Sequence, residues 1–234
     1  MKAFLYKMTC LTNMHVGNGD INYSIIDNEV EKDAVLGEAV IPSSGVKGAL
    51  RAYAKSEGFA QLDSVFGSDN DMPGTYKFLS AGLLARPVRI TKGEGAYKLA
   101  TNADIIKAFN DLCEGLGLAK QIDESMITSV NVDIELEGNK LTKVVTPKFE
   151  SDEWAVLTEL SQISLPVSAR NSLDDKGISK NLWYEEYVPH HSVFYLIVIS
   201  PNEENAIDSL LNNQVIQFGA DASVGCGLVK IERI

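Results

Sequence analysis

Three features of the chain predict an α+β fold. Residues 3–12 are apolar and β-prone, and residues 43–57 carry helical spacing. Val-Phe-Tyr-Leu-Ile-Val-Ile-Ser at 193–200 reads as a buried strand with a second helix and a closing strand behind it. Strand, helix, strand, taken twice, is the order of the ferredoxin-like (RRM-like) fold.

Each element has its own justification. The stretch 13–42 after the first strand is rich in Gly, Asn and Asp and reads as a long irregular loop, a kind that usually carries function. In the first helix Val46, Leu50 and Tyr53 share one face and would seat it on a core. Lys47, Arg51 and Lys55 recur every four residues on the opposite face. Ser43 and Ser44, directly after Pro42, are expected to supply N-cap hydroxyls, and the open amides of the first turn, Gly45 among them, attract phosphate. The helix ends near Gly58.

From 61 to 160 the pattern is mixed, with a strand at 76–91, a helix at 102–115 and short elements at 127–146 and 152–160. It reads as an elaboration inserted into a smaller core. Residues 165–190 form a hairpin around the turn Asp174-Asp175-Lys176-Gly177. A helix over 202–213 is expected to open after Pro201, and 214–232 is a closing strand or hairpin interrupted by Gly219, Gly225 and Gly227. Those glycines fit either close approach of backbone to phosphate or a tight turn at a bulge. With no repeat and no low-complexity linker, residues 1–234 are expected to form one domain.

Composition excludes several classes. A hydrophobic content of 45% and a mean hydropathy of -0.03 belong to an ordinary globular chain. No apolar run approaches the ~20 residues of a membrane span, and the start, Met-Lys-Ala-Phe-Leu-Tyr-Lys, lacks a signal-peptide core. Cys10, Cys113 and Cys226 are odd in number and far apart, which argues for a reducing compartment and against structural zinc. A cytoplasmic location and no membrane partner are expected. A net charge of -11 and a pI of 4.8 oppose the usual footprint of a nucleic-acid binder. The cations nevertheless cluster at Lys47/Arg51/Lys55, Arg86/Arg89/Lys92/Lys98, Lys140/Lys143/Lys148 and Arg170/Lys176/Lys180. Because salt screens charge beyond ~8 Å, a local cationic groove can hold phosphate on an acidic body.

Several motifs bear a resemblance. Residues 14–19 read Met-His-Val-Gly-Asn-Gly, followed by Ile26-Asp27-Asn28-Glu29-Val30 and then Ile41-Pro-Ser-Ser-Gly-Val-Lys-Gly-Ala-Leu-Arg51. Further along stand Phe66-Gly-Ser-Asp69, Ala85-Arg-Pro-Val-Arg89, the run from Ala169 to Pro189, and Gln217-Phe-Gly-Ala-Asp-Ala-Ser-Val-Gly-Cys-Gly-Leu-Val-Lys230. In order and content these resemble RAMP-superfamily proteins of type III CRISPR effector complexes, and the Cmr-type (III-B) backbone subunit more than its Csm-type counterpart. The resemblance implies a hand-like layout: a palm at 1–60 and 190–234, inserted finger elements at 61–164, and a thumb hairpin at 165–189. It implies a function in antiviral defence, with CRISPR guide RNA and single-stranded target RNA as ligands. Further copies in a filament and other Cmr-type subunits would be its partners.

The same resemblance places Asp27 at the catalytic aspartate of type III backbone subunits. A hard carboxylate oxygen there suits Mg²⁺ or Mn²⁺, so the implied activity is a metal-dependent endoribonuclease with Asp27 as the metal ligand. His15 is a candidate base, and Glu185 and Tyr187 on the thumb arm are candidates for reaching a scissile site. For RNA contact the candidates are Ser43, Ser44, Gly45, Lys47, Arg51, Arg170, Lys180, Gly219, Gly225 and Gly227. Each has a plainer reading: a solvated loop aspartate, a hydrogen-bonding histidine, hairpin packing by Trp183, Tyr184 and Tyr187, or a solvated helical face. His190-His191 is not expected to bind metal, because adjacent strand residues face opposite ways.

Two departures from the family pattern stand out. Asn28-Glu29 follows the aspartate where a hydrophobic residue and Pro are common, and Lys32 replaces Arg. The chain is also short for this kind of subunit, so trimmed fingers are expected. A non-catalytic RNA-binding scaffold is therefore the alternative, and a free-standing enzyme binding a nucleotide phosphate at Lys47/Arg51 the third reading. The repeat-processing endonucleases of the superfamily lack this thumb pattern.

Overall fold

The computed structural model describes residues 1–19, 25–68 and 72–234. Asp69 of the Phe66-Gly-Ser-Asp69 motif lies outside them. Four strands form the centre: Leu228–Arg233, Lys2–Cys10, Val193–Ser200 and Ala81–Lys92, side by side in that order and antiparallel throughout. In chain order these are the fourth, first, third and second strands, which is the ferredoxin-like arrangement. The long helix Ser43–Ser56 makes the first crossover, and the short helix Asp208–Leu211 lies in the second. Gln214–Gln217 extends one edge by pairing with Leu228–Arg233.

One boundary shifts against the sequence reading. Ala81–Lys92, assigned to the insertion, is the second strand of the palm: Val193 pairs with Ala85 and Phe194 with Leu83. The sheet continues outward through Tyr97–Thr101, Trp154–Val156, Lys143–Val145 and Thr128–Ser129, so the finger elements grow from the palm's own edge.

Both faces of the sheet are covered. Strand alternation sends Phe4, Tyr6, Met8 and Cys10 to one face, with Phe194, Leu196 and Val198, against Val46, Leu50 and Ala54 of the first helix. The opposite face carries Leu5, Val193 and Ile197 and packs on Ile105, Ile106, Phe109 and Cys113 of the inserted helix Ala103–Gly115. Asn102 caps that helix by accepting from the Ile105 amide at 2.7 Å. The double burial explains why 193–200 reads as an unbroken apolar run. The open sheet face on which RRM modules stack bases is therefore filled by protein here.

Two local expectations are corrected. Pro42 itself is the N-cap of the first helix, so Ser43 and Ser44 sit exposed inside the first turn; the Ser43 amide donates instead to Ser80 Oγ at 3.1 Å. The helix expected over 202–213 shrinks to Asp208–Leu211. Ser200 Oγ and Asn205 Oδ1 accept from the Asn202 and Ile207 amides and compete with helical bonding.

Arg86, counted among the surface cations, is 3% exposed. Its Nε donates to Glu38 Oε2 at 3.2 Å, and its Nη2 to the Leu160 and Ile163 carbonyls at 2.7 and 2.5 Å. Burial pushes the Glu38 carboxyl up, and the guanidinium pulls it back. The pair ties the loop before the first helix to the far end of the insertion. Removing one member strands the other charge, which costs about 3–5 kcal/mol. Arg86→Met is expected to lower unfolding free energy in urea by about that amount, and adding Glu38→Leu to restore most of it.

Candidate RNA-cleavage site

The site is assembled on Tyr184–Val188, where the thumb joins the palm. The thumb is a separate two-stranded sheet, Val167–Leu173 against Ser179–Glu186, closed by the expected turn. Asp174 Oδ1 accepts from the Lys176 and Ile178 amides at 2.9 Å each, and Gly177 takes the φ of 77° that the last turn position requires. Leu173, Ile178 and Leu182 stand exposed along the hairpin.

Period-two alternation splits the thumb root into two sets of side chains. Trp183, Glu185 and Tyr187 turn to one side. Glu185 is 6% exposed and accepts from four donors: Tyr187 Oη at 2.5 Å, Trp183 Nε1 at 2.7 Å, Arg170 Nε at 3.0 Å and Asn28 Nδ2 at 3.1 Å. Burial alone would raise its pKa, but these bonds win and hold it at about 2. Burial and the same carboxylate push the Tyr187 hydroxyl well above its ordinary range, so it remains a donor. Arg170 Nη2 bridges onward to Asp221 Oδ2 at 2.6 Å, and Tyr187 Oη lies 3.2 Å from the same oxygen.

Glu186 turns the other way and is 4% exposed. It accepts from the Val30 amide and from Lys32 Nζ, both at 3.1 Å. Asp27 is fastened beside it. Its amide donates to the Tyr184 carbonyl at 3.0 Å, and its Oδ2 accepts from the Tyr184 amide at 2.8 Å. The Asp27 side chain is otherwise exposed. The stretch read as irregular is thus laced by bridges, Gly17 to Val30, Asn28 to Glu185 and Lys32 to Ala39.

His15 is buried at 6% exposure between the thumb root and the glycine-rich loop. Its Nδ1 lies 2.7 Å from the Glu186 carbonyl oxygen. A carbonyl can only accept, so Nδ1 carries the hydrogen and Nε2 is left as the atom that can take a proton. The His15 carbonyl accepts from the Ala220 amide at 2.9 Å. Gly219 is required for this docking: at φ 74° a Cβ would collide with the His15 carbonyl oxygen. Gly227 is held just as tightly against the Phe218 carbonyl, whereas Gly225, also at positive φ, faces open space. A cleft of about 370 Å³ lined by His15, Gly17, Asn28, Glu29, Glu185 and Asp221 opens here; Asp27 is not part of its lining, although the next residue, Asn28, is.

The structure therefore brings Asp27, His15, Glu185, Tyr187, Arg170 and Gly219 together. It does not join the first helix to them: among the described residues no hydrogen bond or ion pair links Ser43, Ser44, Gly45, Lys47 or Arg51 to this group. Lys47 is half-buried without an ion pair, and Arg51 Nη2 lies 3.7 Å from Asp63. Arg170, expected on RNA, is committed to Glu185 and Asp221. Lys180 is exposed at a bulge in the thumb strand. Glu185 and Tyr187, read as reacting groups, have their polar atoms turned to one another and, for Glu185, to Arg170. Sequence reasoning missed Asp221, Asn28, Trp183 and Glu186. The alternation Trp183, Glu185, Tyr187 against Tyr184, Glu186 was the signal for part of this; the contacts of Asp221 and Asn28 span more than 30 residues and had none.

A ferredoxin-like palm with a glycine-rich loop folded onto a thumb root is the build of one class, and the chain belongs to it: the profile of the RAMP superfamily matches residues 7–230. More particularly, the chain is 25% identical to the "CRISPR system Cmr endoribonuclease Cmr4" of Pyrococcus furiosus, over 99% of this chain and 95% of that protein. The alignment runs over 284 positions against 234 residues here, so it contains gaps in this chain. Among solved structures, a chain of the type III-B Cmr-beta complex bound to cognate target RNA superposes with a TM-score of 0.81 at 20% identity, over 100% of this chain and 97% of that one. Oligomeric Cmr4 from Pyrococcus furiosus gives 0.69 at 20% identity, over 100% and 98%.

The buried carboxylate sets a pH signature. Because the folded pKa of Glu185 lies below its unfolded value, its contribution is full above about pH 4.5 and is lost as pH falls toward 2. Glu185→Gln is expected to cost about 2 kcal/mol at pH 7. The gap to wild type in urea titrations should close on acidification through that window.

Proposed function

We propose that this protein is the guide-RNA-binding backbone subunit of a type III-B CRISPR effector complex and cleaves target RNA bound to the guide. The similarity to an endoribonuclease of the Cmr system supports this reading because it runs over nearly the full length of both chains. The observation that carries cleavage is Asp27: one carboxylate oxygen accepts from the Tyr184 amide at the thumb root while the side chain stays exposed, and the next residue, Asn28, lines the cleft that contains His15. Further copies of the chain and other Cmr-type subunits are the partners this reading requires.

The chain's own groups divide the work. His15 Nε2 takes the proton of the 2′-hydroxyl as its oxygen bonds to the adjacent phosphorus, the P–O5′ bond breaks and the departing 5′-oxygen takes a proton from water; the Nδ1 bond to Glu186 fixes the ring for that task. Glu185, Tyr187 and Arg170 hold the thumb root so that the Asp27 loop and the His15 segment keep their spacing. Lys47, Arg51 and Lys180 neutralise RNA phosphates. A bound Mg²⁺ or Mn²⁺ would offset charge developing on the phosphoryl oxygens. Asp27 fits such an ion as the single carboxylate of a site completed by RNA phosphate and water.

A non-catalytic scaffold is the second reading, favoured by the departures from the family pattern in the loop after the aspartate, Asn28-Glu29 and Lys32. Asp27→Asn separates the two. It keeps an oxygen for the Tyr184 amide but removes the charge. Guide assembly and target capture are expected to persist, with target cleavage reduced about 10²–10³-fold, abolished by EDTA in wild type and blocked by a deoxynucleotide at the cut. A wild-type complex that captures target and never cuts it supports the scaffold. Lys47→Ala with Arg51→Ala should weaken RNA retention and flatten its salt slope by roughly 0.7 per lost phosphate contact. An unchanged slope would mean that this face is solvated surface.

A further inference from the structure

A second cleft, of about 740 Å³, lies at the base of the thumb and shares no lining residue with the His15 cleft. Pro166 and Pro189, just before and just after the two thumb strands, both line it. Its most unusual feature is a row of rings. Tyr97 and His191 stack with centroids 5.4 Å apart and planes 11° from parallel, and His190 follows at 4.6 Å, tilted by 58°. The expectation that the two histidines face opposite ways fails because they occupy a turn rather than a strand.

A turn maintains this row. His191 sits at φ 68°, in the left-handed region that His, Asn and Asp enter more readily than most side chains, and its amide donates to the Cys10 carbonyl at 2.7 Å. Asn13 Oδ1 accepts from the His190 amide at 2.9 Å and lies 3.2 Å from His190 Nδ1. Both histidines are exposed, so the row faces solvent rather than filling the core. Arg89 stands opposite Tyr97 in the strand register with its side chain 74% exposed. Its partner there, Glu137 at 3.3 Å, is itself 38% exposed, so the guanidinium can exchange that carboxylate for another anion at little cost.

We propose that this cleft takes one nucleobase of a single-stranded RNA, stacked on the outer face of the Tyr97–His191 pair, with Arg89 on the adjoining phosphate. Stacked rings beside a cation are the elements of sequence-tolerant single-strand binding. A docked peptide would instead need exposed aliphatic lining; Tyr97, at 43%, is the one large apolar side chain of this cleft exposed to that degree. The inference rests on the reading that the chain handles RNA, and adds a subsite that shares no lining residue with the His15 cleft.

Full-length protein is bound to single-stranded RNA carrying 4-thiouridine, irradiated, and its adducts mapped by mass spectrometry, with total RNA retention measured on filters. Adducts are expected on the peptides carrying Tyr97 or His191. Tyr97→Ala should reduce them five- to hundredfold, as loss of one stacked base would, and Tyr97→Trp should restore them. RNA retained with adducts elsewhere, unchanged by Tyr97→Ala, overturns the subsite and leaves the functional reading standing. Wild type that retains no RNA overturns both. Adducts lost equally in Tyr97→Ala and Tyr97→Trp would make the ring a structural element and also reject the subsite.

Discussion

The buried carboxylate of Glu185 is the interaction on which the site depends. A charge removed from water must be met by donors in correct geometry, and Glu185 draws its four from three parts of the chain. Arg170 and Trp183 come from the two thumb strands, Tyr187 from the palm end of the thumb, and Asn28 from the Asp27 loop. Arg170 then recruits Asp221 and with it the glycine-rich loop. One buried anion thereby fixes how three segments distant in sequence meet. Glu186, on the opposite side of the same strand, does the same for Val30 and Lys32. The adjacency of two buried glutamates is a consequence of strand alternation: one residue secures each side of the thumb root.

Coverage of the central sheet on both faces sets where a large ligand can go. Helices Ser43–Ser56 and Ala103–Gly115 lie on its opposite faces. What remains are the edges, the loops at the root of the thumb and the thumb itself. Both clefts draw residues from this root, one taking Glu185 and the other Pro189. Charge follows the same geography. Arg86 is consumed inside the fold and Arg170 inside the site, so fewer cations are available than a count of the sequence suggests. On a chain of net charge -11, the few that remain, Lys47 and Lys180 among them, act locally over a screened distance.

The palm was legible in the sequence because its signals are local. Alternation and spacing, carried by each segment alone, marked the first and third strands, the first helix, the inserted helix and the thumb turn. The second strand, Ala81–Lys92, was seen as a strand but assigned to the insertion, since pairing partners leave no trace in a segment's own pattern. The helix after Pro201 failed because Ser200 and Asn205 capture amides that a periodicity reading assumes are helical.

For the site, the sequence by itself determined which residues were worth watching: Asp27, His15, Glu185 and Tyr187 were singled out by type and motif. Only the tertiary structure decided their relations. It put Asp27 on the Tyr184 amide, aimed His15 Nε2 away from its bonded nitrogen, and turned the polar atoms of Glu185 and Tyr187 to one another. The physical reason is range. Helix and strand propensities are properties of neighbours along the chain, whereas the protonation state and free lone pairs of a side chain are set by groups that folding brings from 150 residues or more away, as it brings Asn28 to Glu185.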